Sequence, residues 1–165
     1  MKAARYKIET CLVDAEDTVH VLLVSKKKKS FVPLYLDMQQ SETLLRYFSG
    51  EETEEDKYNI MFMNDSWQKL GFQVKSIVID HQGSSSLLVP TITLLQNQMD
   101  QRYIYITLFV PINIAILLSA SLDAPLYLTN RAENVVKNID LDNLQKYIKE
   151  IGTNSEEGDE NEEGN

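Results

Sequence analysis

Apolar and polar residues alternate tolerably over residues 5–14, with Tyr6, Ile8, Thr10 and Leu12 on one face, and a β-rich stretch follows at 18–25 after the turn Ala15-Glu16-Asp17. A period of two predicts strands, and the short turn predicts a hairpin. Residues 30–37 read as a third strand, in which Pro33 implies an edge position or a bulge. The period then changes. Leu44, Leu45, Tyr47 and Phe48 recur at helical spacing, with Gln40 or Ser41 available as cap and Gly50 as the stop. A second helix is expected over 56–70, where Tyr58, Ile60, Met61, Met63, Trp67 and Leu70 form a stripe expected to fill core, with Gly71 beyond it. Residues 72–80 alternate strongly and predict a strand that turns at His81-Gln82-Gly83 and runs back over 86–95 with an interruption at Pro90. A turn is expected over 97–100.

Residues 103–122 carry no charge at all. Tyr103 to Thr107 suit a strand, Pro111 fits a first helical turn, and 112–122 reads as a helix apolar nearly all round, hence buried. Asp123-Ala124-Pro125 ends it before a short strand at 126–128. This strand, helix and returning strand are expected to form the core that the other segments cover. Residues 129–138 are expected to be irregular or briefly helical. Leu141, Leu144, Tyr147, Ile148 and Ile151 place an amphipathic helix over 140–151, closed by Gly152. Residues 153–165 contain no aliphatic or aromatic side chain and read as a disordered acidic tail. The segments PLYLD (33–37) and PLYLT (125–129) nearly repeat each other.

Composition narrows the class. A chain of 165 residues with 43% hydrophobic residues can build one core without staples. Cys11 is the single cysteine, which excludes an internal disulfide framework and a cysteine-rich zinc site. The opening MKAARYKIET has no apolar run of the signal-peptide kind, so a cytoplasmic address is expected by elimination. The uncharged run is long enough to raise the question of a membrane span, but its strand-like first third, Pro111 and the polar Thr107, Asn113, Ser119 and Ser121 argue for a buried core and no membrane. The net charge of −9 disfavours a broad electrostatic footprint for nucleic acid. Six acidic residues and no basic one lie in 156–163, so two thirds of that charge belongs to the tail.

Candidate chemistry is sparse. Asp80-His81 is the one adjacent acid–imidazole pair and could serve as catalytic acid and base, or could shape the turn before Gly83. Asp37, Asp80 and Asp123 lie at element ends and could contribute to a divalent-metal site. Asp37 and Glu42 also suit the positive end of a helix dipole. Lys26, Lys27, Lys28 and Lys29 form either a solvated turn or a phosphate-binding patch. His20, inside a strand, reads as a cross-strand partner rather than a ligand. There is no G-x-S-x-G, P-loop or Rossmann glycine series.

The order of three strands, PLYLDMQQSETLLRYFSG, a helix ending KLG, a hairpin and AILLSASLDAPLYLT resembles the bifunctional nuclease domain family over roughly residues 4–134. The best-kept parts are residues 31–36 and 115–128. The resemblance implies a bifunctional nuclease-like α+β fold over 1–138, with mixed, mainly antiparallel sheets and a few short helices packed around one buried helix; the amphipathic pattern adds a C-terminal helix over 139–152 beyond it. It also implies phosphodiester hydrolysis on DNA or RNA, with Mg²⁺ or Mn²⁺ as cofactor. The chain departs from the family where polar motifs stand. Asp37 replaces a glycine, Gln40 replaces an acid, Asn59-Ile60-Met61 falls where Thr-His-Asp is typical, and Val110 and Asn113 fall where Arg and Asp are typical. Hydrolysis is therefore expected to be weak or lost. The alternative expectation is a non-catalytic module that forms a homo-oligomer or binds a protein partner.

Overall fold

The computed structural model describes residues 2–83, 87–97 and 103–156. The elements follow in the order β1 (Ala3–Val13), β2 (Thr18–Ser25), β3 (Ser30–Asp37), α1 (Met38–Ser49), α2 (Glu54–Lys69), β4 (Phe72–His81), β5 (Leu88–Asn97), β6 (Tyr103–Phe109), α3 (Ile112–Ser121), β7 (Leu126–Thr129), α4 (Asn130–Val135) and β8 (Ile139–Asp140). A single 3-10 turn, Leu141–Asn143, then leads into α5 (Leu144–Glu156). All eight strands belong to one sheet, in the order β6-β5-β4-β7-β1-β2-β3-β8. Among the described residues, only β4 and β7 pair in parallel. The α+β class and the mainly antiparallel pairing are as the patterns imply.

Register explains the core. Tyr6, Leu126, Ile77, Ile92 and Leu108 form one row across five strands, and Ile8, Leu23 and Val32 form another across three. Side chains of these rows point to the face covered by α1, α2 and α3, where they meet Leu44, Ile60, Ile116 and Leu118. Among the described residues, the opposite face is covered only over β1, β2 and β3, where Leu22, Val24 and Phe31 pack on Leu144, Tyr147 and Ile148 of α5. Alternation along β2 thus feeds two cores, which makes that strand buried on both faces. In β1 the simple alternation fails. A bulge between Ile8 and Thr10 takes up Glu9 and switches the faces. Tyr6 and Ile8 face the helices, Cys11 and Val13 continue that face, and Leu12 joins the second core.

Two expectations drawn from hydrophobicity are corrected. The helical half of the uncharged run is buried, since Ala115 to Ser119 of α3 are enclosed. The strand half, β6, is instead the exposed edge of the sheet. The α2 stripe is also split. Ile60 is buried and Met63 and Trp67 lean on the core, while Tyr58, Met61, Phe62 and Leu70 are exposed.

Caps account for the boundaries. Asp37, not Gln40 or Ser41, caps α1 by accepting from the Gln40 backbone N–H. Thr53 and Asp56 form a reciprocal capping box that starts α2 two residues before the expected point. Thr129 caps α4 by accepting from the Ala132 N–H. The PLYLD/PLYLT echo is therefore, in each copy, a stretch of strand whose last residue caps the following helix. Pro33 does lie at an effective edge, because β8 pairs only with Ser30 and Phe31. Pro90 does not interrupt β5 but pairs with Ile79. Helix α5 continues past Gly152 through Glu156, so 153–156 are helical and not tail. The expected turn at 98–100 and the tail at 157–165 lie outside the described residues. Among the described residues, no helix is long and apolar enough to cross a membrane.

Candidate functional site

Parallel pairing of β4 with β7 brings Asp80 beside Thr129, one step beyond the Ile79–Leu128 pair. The buried Asp80 carboxylate accepts hydrogen bonds from the Thr129 hydroxyl and from the Arg131 guanidinium, whose Nε lies 3.2 Å away. Burial pushes this carboxyl up, but Thr129, Arg131 and the His81 backbone N–H outweigh it and hold Asp80 below the usual aspartate range. A carboxylate so committed is a poor proton acceptor and has little lone-pair capacity for a metal. His81 ends β4 opposite Leu88.

Next to this group, Glu133 of α4 lies almost wholly buried and receives three donors. The Tyr6 hydroxyl approaches its carboxylate at 2.7 Å, and Lys28 Nζ contacts both oxygens at 2.5 and 2.6 Å. Asn138 donates to the Glu133 carbonyl at 3.2 Å. Burial first, and Glu133 second, push the Tyr6 hydroxyl far above the ordinary tyrosine range. One of the four candidate phosphate-binding lysines is therefore an internal counter-ion. The β2–β3 pairing ends at Ser25–Ser30, leaving Lys26, Lys27, Lys28 and Lys29 on the turn.

A third polar group joins the β1–β2 turn to α5. His20 Nε2 lies 2.7 Å from the Asp14 carboxylate and Nδ1 lies 3.1 Å from the Tyr147 hydroxyl, which is 3.3 Å from that of Tyr35. His20 also pairs with Tyr35 across β2 and β3, with the rings edge to face at 5.0 Å. His20 is thus a cross-strand partner, and the Asp14–His20–Tyr147–Tyr35 chain had no signal in local sequence because its members are up to 127 residues apart in pairs. The hydrogen bond from His20 holds Asp14 low, and burial pushes Tyr147 far up. Elsewhere, Arg46 forms two hydrogen bonds to Asp56 at 2.8 and 2.9 Å, clamping α1 to α2 and holding Asp56 far below its ordinary range. Burial raises the Cys11 thiol to about 11, away from nucleophilic service.

The candidate metal carboxylates do not share a site. Asp123 precedes β7 while Asp80 lies beside its last residue, about 10 Å further along the strand. Asp37 pairs with Thr18 at the far end of β3, about 14 Å across the sheet from β7 at three strand spacings. Among the described residues, no group of three or more His, Cys, Asp or Glu side chains could hold a metal ion. The described residues do not fit the divalent cation that the resemblance implies.

These ion pairs carry a pH signature. Asp14, Asp56 and Asp80 all have native pKa values below the ordinary 3.8. Their stabilisation is complete above that value and is lost as pH falls through the depressed native values. The melting temperature is expected to be nearly flat from about pH 7 to 5 and to fall below about pH 4, with a shallower fall in Asp80→Asn. Equal slopes in the variant and the natural chain, read by circular dichroism, would remove Asp80 from this account.

Apolar surface is exposed at the sheet edge as well as on α2. Tyr103, Ile104, Tyr105, Ile106 and Phe109 of β6 are exposed on both faces of the strand, with Phe109 70% accessible. Arg5, Tyr127, Val78, Thr91 and Phe109 form a row on the face opposite the α1–α3 layer. On the same side, Lys75 Nζ lies 4.7 Å from the centre of the Tyr105 ring. Sequence reading missed this surface because a strand at the edge and a strand in the middle can have the same composition. Comparison with protein-family models and with curated proteins finds no match to the chain.

Proposed function

We propose that this chain is a divergent bifunctional nuclease-like domain that works as a non-catalytic binding module, with its hydrolytic chemistry lost. The observation that carries the reading is the β6 edge, apolar and exposed on both faces, which is the kind of surface that marks an interaction site. Against hydrolysis stands the use of three candidate groups elsewhere: Asp80 by Thr129 and Arg131, Asp37 by the α1 N-terminus, and Lys28 by Glu133. Where the family carries Thr-His-Asp, this chain has Asn59, the buried Ile60 and the exposed Met61. A second reading, nucleic-acid binding without cleavage, is favoured by Lys75 over Tyr105 together with the exposed Arg5 and Lys7.

The test is incubation of purified protein with single- and double-stranded DNA and RNA, in Mg²⁺, in Mn²⁺ and in chelator. No cleavage is expected in any arm. Chelator-sensitive cleavage that disappears in Asp80→Ala or His81→Ala would overturn the non-catalytic reading. Salt-sensitive retention of a single strand, weakened in Lys75→Ala, would select the second reading.

A further inference from the structure

We propose that β6 is a homodimer interface, in which two copies pair this strand antiparallel about a two-fold axis through Ile106. The inference rests on the binding-module reading and names its partner as a second copy of the chain. At the other end of the sheet β8 is only two residues long and the part of β3 that it leaves uncovered carries Pro33, whereas β6 offers seven residues without a proline. A strand at a sheet edge presents one side of its backbone without a strand partner. Here β6 is flanked by apolar side chains on both faces, so a neighbour that covers only one face leaves the other wet. A strand added in the plane of the sheet pairs with the open backbone side and sets a row of its own side chains beside the row on each face.

The sequence of β6 is compatible with its own reversed copy. Pairing about Ile106 sets Tyr103 against Phe109, Ile104 against Leu108, and Tyr105 against Thr107. Aromatic residues then meet on one face and aliphatic residues on the other, the combinations that stabilise antiparallel pairs. Charge along the strand does not oppose a copy as partner. The chain carries −9 overall, yet residues 103–122 hold no charged group, so like charges are not brought into contact along the strands. The five exposed side chains, from Ile106 at 37% to Phe109 at 70%, carry on the order of 500 Å² per copy. Covering all of it on both copies would bury about 1,000 Å², the lower bound for a specific interface.

Light scattering on the full chain at about 100 μM, well above the Kd expected of a specific interface, should give twice the 18.9 kDa of one chain. Phe109→Lys and Thr107→Lys, each at an exposed position, should weaken association about tenfold or more with unchanged far-ultraviolet circular dichroism. Ile106→Cys should oxidise to a covalent dimer, because the axis brings that residue against itself. Phe62→Cys, exposed on α2, should not. The native Cys11 is present in both variants and cancels in the comparison. A single-chain mass at that concentration overturns the dimer. A dimer that ignores the lysine variants and does not cross-link at position 106 also overturns it, placing contact elsewhere. A monomer that neither cleaves nor pairs but retains single-stranded RNA assigns the face to nucleic acid and rejects the second copy. Cleavage, in contrast, removes the binding-module reading whatever the mass.

Discussion

Ile116→Ala is expected to lower the unfolding free energy by about 3 kcal/mol, whereas Met61→Ala is expected to change it by less than about 0.5 kcal/mol. Ile116 has no accessible surface in the middle of α3, and it belongs to the cluster that joins α1, α2 and the sheet rows through Ile77 and Ile92. Removing three carbons there forfeits transfer free energy and leaves a cavity that residues of both layers line. Met61 is 61% exposed on α2, and alanine is at least as good a helix former. Urea unfolding followed by circular dichroism reads both, provided the slopes agree so that the difference is one of stability. Similar losses in the two variants would mean that the α3 layer is not the main core. The comparison is direct because both residues are expected in the core from hydrophobicity alone, Ile116 in a helix apolar nearly all round and Met61 in a helical stripe.

That pair shows what periodicity can resolve. The number, order and kind of most elements follow from local patterns, because a strand's alternation and a helix's caps are properties of neighbouring residues. Thr53 and Asp56, or Pro111 before α3, act over a few positions. Layer membership is a different matter. Tyr103 to Phe109 and Leu126 to Thr129 are both β-forming, but β7 is inserted between β4 and β1 while β6 is left at the edge. Nothing within either segment encodes that insertion, which depends on the right pairing of segments far apart in the chain. The candidate site suffers the same loss. Asp80-His81 was conspicuous as a dipeptide, yet the partners that decide the state of Asp80 are Thr129 and Arg131, about fifty positions on. Thr129 was already visible as the end of the PLYLT echo, and its capping role could have been read from the helix that follows. Glu133, Tyr6 and Lys28 offered no such signal, since their only relation is spatial.

Lys28→Met is expected to cost about 2 kcal/mol, and a double variant with Glu133→Gln is expected to recover most of it. The Glu133 side chain is 8% exposed against 41% for Lys28. Removing the lysine leaves a buried carboxylate with the Tyr6 hydroxyl as its remaining side-chain donor. A fully buried pair broken in this way loses roughly 3–5 kcal/mol. The partial exposure of Lys28 means that water already shares the screening, so the lower figure is appropriate. Glutamine at 133 removes the charge but keeps an oxygen to accept from Tyr6, so the double variant no longer buries an unpaired anion. Non-additivity in the urea unfolding of the four proteins is the signature. Strict additivity would reduce the 2.5 Å contact to a surface ion pair with no structural weight. The consequence reaches the candidate site, because Glu133 holds α4 between β1 and the β2–β3 turn, and α4 is the element that presents Arg131 to Asp80. With α4 loosened, the Lys28→Met chain should also lose part of the acid-sensitive stabilisation that Asp80 contributes. Its melting temperature would then fall less steeply below about pH 4 than that of the natural chain. An unchanged slope would show that Arg131 is held by its own contacts, with Asp80 closed to chemistry independently of the lysine turn.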